Sequence, residues 1–405
     1  MKKYNIPFSP PDISEEEINE VIDTLKSGWI TTGPKTKELE RRLSEFTNTP
    51  KTVCLNSATA ALELTLRVLG IGEGDEVIVP AMTYTASCSV IYHVGAKAVI
   101  VDIAEDSHEM DYDALADAIT ENTKAVIPVD LAGIPCDYDK IFEVVESKKH
   151  LFKANSEYQE KLGRVAVVAD GAHALGSMYK GEKIGSVADF TTFSFHAVKN
   201  FTTAEGGSVT WKQNENFDNE ELYREYQIYS LHGQTKDALA KTKAGSWEYD
   251  IVIPGYKCNL TDIAASIGLV QLDRYPKLLE RRDNIISKYN KGFEGTKIKG
   301  LSHSSDYYKS CGHLYITHVE GATFEQRGEI IVKMAERGIS CNVHYKPLPL
   351  LTAYKNLGFD IENYPNAYNY YVKEITLPLH TRLSDEDVAV IIENFKEIVE
   401  EVVGE

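Results

Sequence analysis

A lysine at position 199 stands in the middle of Ser194-Phe195-His196-Ala197-Val198-Lys199-Asn200-Phe201-Thr202-Thr203-Ala204-Glu205-Gly206-Gly207, a loop thick with hydroxyls and closed by two glycines. The apolar run Phe190 to Phe195 reads as a buried strand, so the amine falls just past a strand end. Val165 to Asp170 is a second apolar run that stops at a carboxylate, and Gly171-Ala172-His173-Ala174 follows it. Ligands bind at the carboxyl ends of strands in α/β sheets, so Lys199 and Asp170 are expected on one edge. A lysine able to form a Schiff base, with an aspartate able to keep a pyridine nitrogen protonated, is the minimal kit of pyridoxal phosphate (PLP) chemistry. For either residue alone, a solvated loop lysine and a helix-capping aspartate are the simpler readings.

The elements that must position these groups alternate. Thr52 to Leu55 reads as a strand that leads into Asn56-Ser57-Ala58-Thr59 and then a buried helix up to Gly70. Free N–H groups and hydroxyls at such a turn suit a phosphate, although Ser and Thr also cap helices with no ligand present. Glu76 to Pro80 is the next strand; Tyr84 follows it, placed either to stack on a pyridine ring or, as one of 23 tyrosines, simply to pack. Lys97 to Asp102 and Ala125 to Asp130 continue the series, which is the pattern of a parallel sheet covered on both faces. Asp130 and Asp137 are read as structural.

Ser14-Glu15-Glu16-Glu17 is a capping box, and Ile18, Val21, Ile22 and Leu25 follow at helical spacing until Gly28. A loop, Gly28 to Pro34, and a helix from about Lys35 to Phe46 come next. Residues from about 148 to 163 look like a polar insertion, and Gly233 to Trp247 is long, irregular and polar, as a functional loop or lid would be. Beyond a long helical run from Ile263 to about Tyr289, interrupted by Pro276, the character changes. Strands are expected at Gly312 to Glu320 and Ser340 to Tyr345, and helices at Phe324 to Arg337 and Ser384 to Val403. This divides the chain into a large domain, 1–260, and a smaller C-terminal α/β domain with its linking helix, 261–405.

Size and composition fit this organisation. The chain has 405 residues, 43% hydrophobic and 26% charged, enough for a large and a small core. A formal net charge of −18 argues against nucleic acid or an anionic membrane surface as a partner. No stretch has the length of a signal peptide core or a membrane span, so a cytoplasmic protein is expected. Six scattered cysteines form no CxxC pair, and no His-rich spacing suggests a metal. No GxGxxG follows the first strand, which speaks against a nicotinamide-dependent dehydrogenase.

Along nearly its whole length the sequence resembles the DegT/DnrJ/EryC1/StrS family of sugar aminotransferases. The resemblance is carried by Gly28-Trp29-Ile30-Thr31-Thr32-Gly33-Pro34, Asn56 to Leu62, Asp170 to Ala174, the lysine loop, Gly255-Tyr256-Lys257-Cys258-Asn259 and His344-Tyr345. It implies the aspartate aminotransferase-like fold (fold type I), with PLP as cofactor. It also implies a homodimer with shared active sites, and transfer of an amino group from glutamate to a nucleotide-diphosphate-linked keto sugar, for surface glycan or other amino-sugar synthesis. By this resemblance Lys199 holds and works the cofactor, Asp170 faces its ring nitrogen, and His173 faces the ring hydroxyl. Tyr84 and Ala172 flank the ring, and Ser57, Ala58, Thr59 and Ser194 hold the phosphate. Trp29, Thr31, His344 and Tyr345 face substrate, with His344 alternatively a plain strand residue. Many relatives carry asparagine at 257 and arginine at 259, the asparagine crossing to the partner's phosphate; here either Lys257 supplies a charge or Asn259 the amide. The wording of Gly28 to Pro34 is nearer to members that aminate carbon 4, so a 4-keto-6-deoxy sugar is expected. Sugar dehydratases of the family replace the lysine with histidine, so Lys199 favours transamination over dehydration, and over a non-catalytic binding protein.

Overall fold

The computed structural model describes residues 4–236 and 248–404. Most of the polar stretch Gly233 to Trp247 lies outside them.

Seven strands form the main sheet: β1 (Thr52–Leu55), β2 (Glu76–Pro80), β3 (Lys97–Val101), β4 (Thr123–Val126), β5 (Ala166–Asp170), β6 (Phe190–Ser194) and β7 (Gly207–Trp211). Their spatial order is β1-β7-β6-β5-β4-β2-β3, and β7 alone runs against its neighbours. Alternate side chains enter separate cores, as the two-residue period of a strand dictates. Val168 faces one core with Leu62, Leu66 and Ile91. Val167 and Ala169 face the other with Ile141, Leu269 and Leu272. A sheet buried on both faces explains why these strands read as unbroken apolar runs.

Register places the chemistry. Asp170 pairs with Thr192 of β6, two residues before that strand ends at Ser194. β5 and β6 are parallel neighbours, so the carboxylate and the lysine loop emerge on one edge. Gly207 sits between Ser194 and the end of β1 at Leu55. A Cβ there would lie 2.3 Å from the Ala58 nitrogen, so glycine lets the start of the helix Ala58–Val68 settle onto that edge.

A smaller antiparallel sheet, Ile298–Gly300, Tyr315–Val319 and Glu374–Leu377, is covered by the helices Phe324–Glu336 and Asp385–Val403 around a third core. The N-terminal segment joins it through a bridge between Ile6 and Ile339.

Four details depart from the sequence reading. The strand expected at Ala125 to Asp130 starts at Thr123 and ends at Val126, because Asp130 turns away to accept from Tyr138 Oη and the Cys136 N–H. Ser340 to Tyr345 is not a strand; it makes a single bridge, Asn342 to Thr376. The helix Asp262–Phe293 runs through Pro276 without a break, because Leu272, Tyr275 and Leu278 on either side are buried in the core. Finally, the apolar side of the helix Glu15–Ser27 faces outward: Ile18, Ile22 and Leu25 are 44%, 40% and 53% exposed. That helix docks through Glu17 instead, whose Oε1 accepts from Gln271 Nε2 at 2.7 Å and pairs with Arg274 at 2.6 Å.

Candidate active site

Eleven of the residues singled out from sequence line one cavity of about 440 Å³ at this sheet edge: Ser57, Ala58, Thr59, Tyr84, Asp170, Ala172, His173, Ser194, Lys199, His344 and Tyr345. One end is the start of the helix Ala58–Val68, where Ser57 Oγ accepts from the Ala60 N–H at 3.1 Å. The N–H groups of the first turn that remain unpaired in an α-helix make this end a ready seat for an anion. Tyr84 begins the helix Thr85–His93 and leaves 59% of its surface open, facing Tyr345 across 5.9 Å between ring centroids.

Asp170 is buried. Its Oδ2 accepts from Ser87 Oγ at 2.7 Å and its Oδ1 from the Ala172 N–H at 3.1 Å. Burial pushes its carboxyl above the usual range, opposed by Ser87, Ala172 and the Lys199 charge. The same burial pushes the Lys199 amine down to about 8, with Asp170 pulling it back up. An amine so lowered is uncharged in an appreciable fraction near neutral pH, as a nucleophile or proton carrier must be.

His173 is held well below its ordinary range, chiefly by burial and then by Lys199 and His344, so its ring is neutral. The Ala132 N–H donates to its Nδ1 at 3.3 Å, which leaves the ring proton on Nε2, 3.2 Å from Tyr345 Oη. Ala132 donates from a left-handed conformation, φ +61°. His344 is also neutral, pushed down to about 3 by burial and then by Lys199. It stacks on Phe8 and its Nδ1 lies 2.9 Å from Thr376 Oγ1. At the cavity wall His196 pairs with Glu205 at 3.6 Å.

Trp29, Thr31, Lys257 and Asn259 do not line this cavity. They gather with one another instead. Lys257 Nζ donates to Asn259 Oδ1 and Asn259 Nδ2 to Thr32 Oγ1, while Trp29 Nε1 donates to the Thr32 carbonyl at 3.2 Å. The Thr31 carbonyl accepts from the Asp262 N–H at 3.1 Å.

A model of the DegT/DnrJ/EryC1/StrS aminotransferase family matches residues 11–396. The chain belongs to this family. Spr1654 of Streptococcus pneumoniae, assigned as a sugar aminotransferase, is 68% identical, with a TM-score of 0.96 over 98% of both chains in its apo form. Structures of Spr1654 in PMP and PLP forms superpose equally well, at 68% and 67% identity over 98% of this chain and 100% of theirs. The spore coat polysaccharide biosynthesis protein SpsC of Bacillus subtilis is 38% identical over 407 residues, and an uncharacterized protein of Methanocaldococcus jannaschii, MJ1066, is 40% identical over 400. Each of these alignments covers 98% of both chains. The family is one of aminotransferases, and the aspartate aminotransferase-like α/β fold expected from sequence is the one observed.

The sequence reading missed the residues behind the cavity wall. Ser87 on Asp170, His313 beside His173, Asn200 on His313, and Glu374 with Thr376 behind His344 all lie far along the chain from the groups they hold. No local spacing marks them. Among the described residues no group of three or more His, Cys, Asp or Glu side chains converges as metal ligands, and no helix is long and apolar enough to cross a membrane. All six cysteines are unpaired, five of them buried.

Proposed function

We propose that the protein is a PLP-dependent sugar aminotransferase that moves the amino group of glutamate onto a keto sugar linked to a nucleotide diphosphate. The observation that carries this reading is the meeting of Lys199, Asp170 and His173 in one cavity beside the open N-terminus of the helix Ala58–Val68. These residues fit the cofactor. Lys199 would meet its aldehyde, Asp170 its ring nitrogen and His173 Nε2–H its ring hydroxyl. Ser57, Ala58, Thr59 and Ser194 would hold its phosphate, and Tyr84 and Ala172 would flank its ring. When bound, PLP supplies a protonated pyridine that takes up the electrons left when a proton leaves the amine-bearing carbon.

The chain's own groups then have defined tasks. Lys199 Nζ takes the proton from the amine-bearing carbon of the donor and delivers it to the cofactor carbon, as base and acid in turn, and in the second half-reaction carries a proton the opposite way, to the sugar carbon. Asp170, fixed by Ser87 and the Ala172 N–H, keeps the pyridine nitrogen protonated. His173, neutral and oriented by Ala132, donates without drawing the proton away. Donor and acceptor use the same cavity in turn, so the kinetics are ping-pong.

Spr1654 and SpsC, by their names, support a sugar acceptor and a role in polysaccharide synthesis. The resemblance of Gly28 to Pro34 supports a 4-keto-6-deoxy sugar. A homodimer is supported by the outward stripe Ile18, Ile22 and Leu25 and by the separate cluster of Trp29, Lys257 and Asn259, which a second copy would bring to its partner's cavity.

The test is a panel of nucleotide-linked 3-keto and 4-keto sugars offered with glutamate, the product identified by mass spectrometry and NMR. An aminated 4-keto sugar is expected. Transfer only to simple keto acids would overturn the reading.

A further inference from the structure

Glu374 is a fully buried carboxylate, and two neighbours, His344 and Thr376, each give it one hydrogen bond. Its Oε2 accepts from the His344 N–H at 3.0 Å, and its Oε1 accepts from Thr376 Oγ1 at 2.5 Å. The same Thr376 oxygen lies 2.9 Å from His344 Nδ1. Carboxylate, hydroxyl and imidazole thus form a chain from the small sheet to the cavity wall. His344 Nε2, at the far end of the ring, has no hydrogen-bond partner among the described residues, and His344 lines the cavity.

A hydroxyl has one proton to give. While Glu374 is ionised, Thr376 spends that proton on Oε1 and can only accept from His344. The ring, neutral at any physiological pH, therefore carries its proton on Nδ1, and Nε2 is a bare lone pair. If Glu374 is protonated on Oε1, the direction reverses. The ring passes its Nδ1 proton to Thr376 as Thr376 passes its own to Glu374, and the ring takes one on Nε2 from cavity water; Glu374 then donates to Thr376 and Thr376 donates to Nδ1. In all, one proton is gained, on Glu374.

We propose that Glu374, acting through Thr376, decides which nitrogen of His344 carries the ring proton, and so whether the cavity wall offers a sugar hydroxyl an acceptor or a donor. This rests on the reading that the cavity receives a hydroxylated sugar. Glu374 is a positioning residue here; it touches neither substrate nor cofactor.

Burial pushes the Glu374 carboxyl up to about 7, opposed by Thr376, the His344 N–H and the Arg327 charge on the helix Phe324–Glu336. Tyr370 on the helix Pro365–Lys373, and Cys341 and Tyr345 on either side of His344, also face it and stay neutral, their own protons held by burial. Around His344 the charged or titratable groups are Lys199, His173 and His313, and both histidines are neutral. The switch therefore turns over near neutral pH.

Nitrogen-15 labelling of the histidines reads the protonated ring nitrogen directly from two-bond proton–nitrogen correlations, with His344→Asn identifying the His344 signals. In the wild type the proton should move from Nδ1 to Nε2 as pH falls from about 8 to about 6. Glu374→Gln, whose amide keeps the shape but always donates to Thr376, should hold it on Nε2 throughout. Thr376→Val should abolish the response and Thr376→Ser should keep it. In turnover, KM for the sugar should change about three- to tenfold across this range in the wild type and in Thr376→Ser, and stay flat in the other two. The glutamate half-reaction should not change. One tautomer at every pH in both wild type and Glu374→Gln overturns the proposal, as does an unaltered pH profile of KM in Glu374→Gln. A moving proton in a protein that aminates no nucleotide-linked sugar supports the wiring and overturns the substrate reading.

Discussion

The rings of His173 and His313 lie 4.2 Å apart between centroids, and Ala132 ties both: its N–H donates to His173 Nδ1 and its carbonyl accepts from the His313 N–H at 3.0 Å. His313 Nδ1 in turn meets Asn200 Oδ1 at 2.9 Å, and Asn200 is the residue after Lys199. The cavity-lining His173 and the loop that carries Lys199 are thus braced by one buried unit.

Removing the brace should show in both stability and rate. His313→Ala leaves the Asn200 carbonyl unpartnered and opens space beside His173, which costs about 2 kcal/mol or more. Turnover should fall about tenfold or more because His173 loses its fixed position. Chemical denaturation and steady-state kinetics on the same preparation check both; unchanged kinetics with lowered stability would make the contact purely structural.

Lys199 and Asp170 should each be indispensable in a distinct way. Lys199→Ala should still bind PLP at the phosphate seat yet lose transfer by about 10³-fold or more. Asp170→Asn should bind PLP as well but slow both half-reactions, because an amide does not hold the pyridine nitrogen protonated. Single-turnover absorbance with glutamate separates the two defects.

Protonation gives a sign that can be worked out in advance. The Lys199 amine is lowered from 10.5 to about 8 in the folded, cofactor-free protein. Between those values the unfolded chain binds a proton that the folded one does not, so stability rises with pH. Relative to Lys199→Met, the wild type should gain up to roughly 3 kcal/mol as pH climbs through this window. Parallel stability curves for the two proteins would remove the lowered amine.

Much of this was legible in the sequence, and the physical reason is locality. Lys199, Asp170 and the Ser57 turn each follow an apolar run, so strand ends alone placed them. His313, Asn200, Glu374 and Ser87 meet their partners only after the chain has folded, and nothing at their own positions announces it. The helix Glu15–Ser27 shows the opposite failure. Its apolar spacing was plain, but spacing cannot say which way a stripe faces, and here Glu17 turns the polar side inward.

That outward stripe has its own consequence. Ile22→Glu combined with Leu25→Glu should leave the monomer folded, since both side chains are exposed in it. It should lower the apparent mass in gel filtration and abolish transfer, because the Trp29, Lys257 and Asn259 cluster would no longer reach a partner's cavity. A dimeric or fully active double variant would place the interface elsewhere.

The most direct measurement is chemical. The PLP-loaded protein is treated with borohydride, which reduces a lysine–aldehyde link to a stable amine, and its peptides are read by mass spectrometry. A phosphopyridoxyl group on the peptide carrying Lys199, absent when glutamate is added before the reductant, is the expected result. A label on another lysine, or none on a protein that holds PLP, would contradict the account.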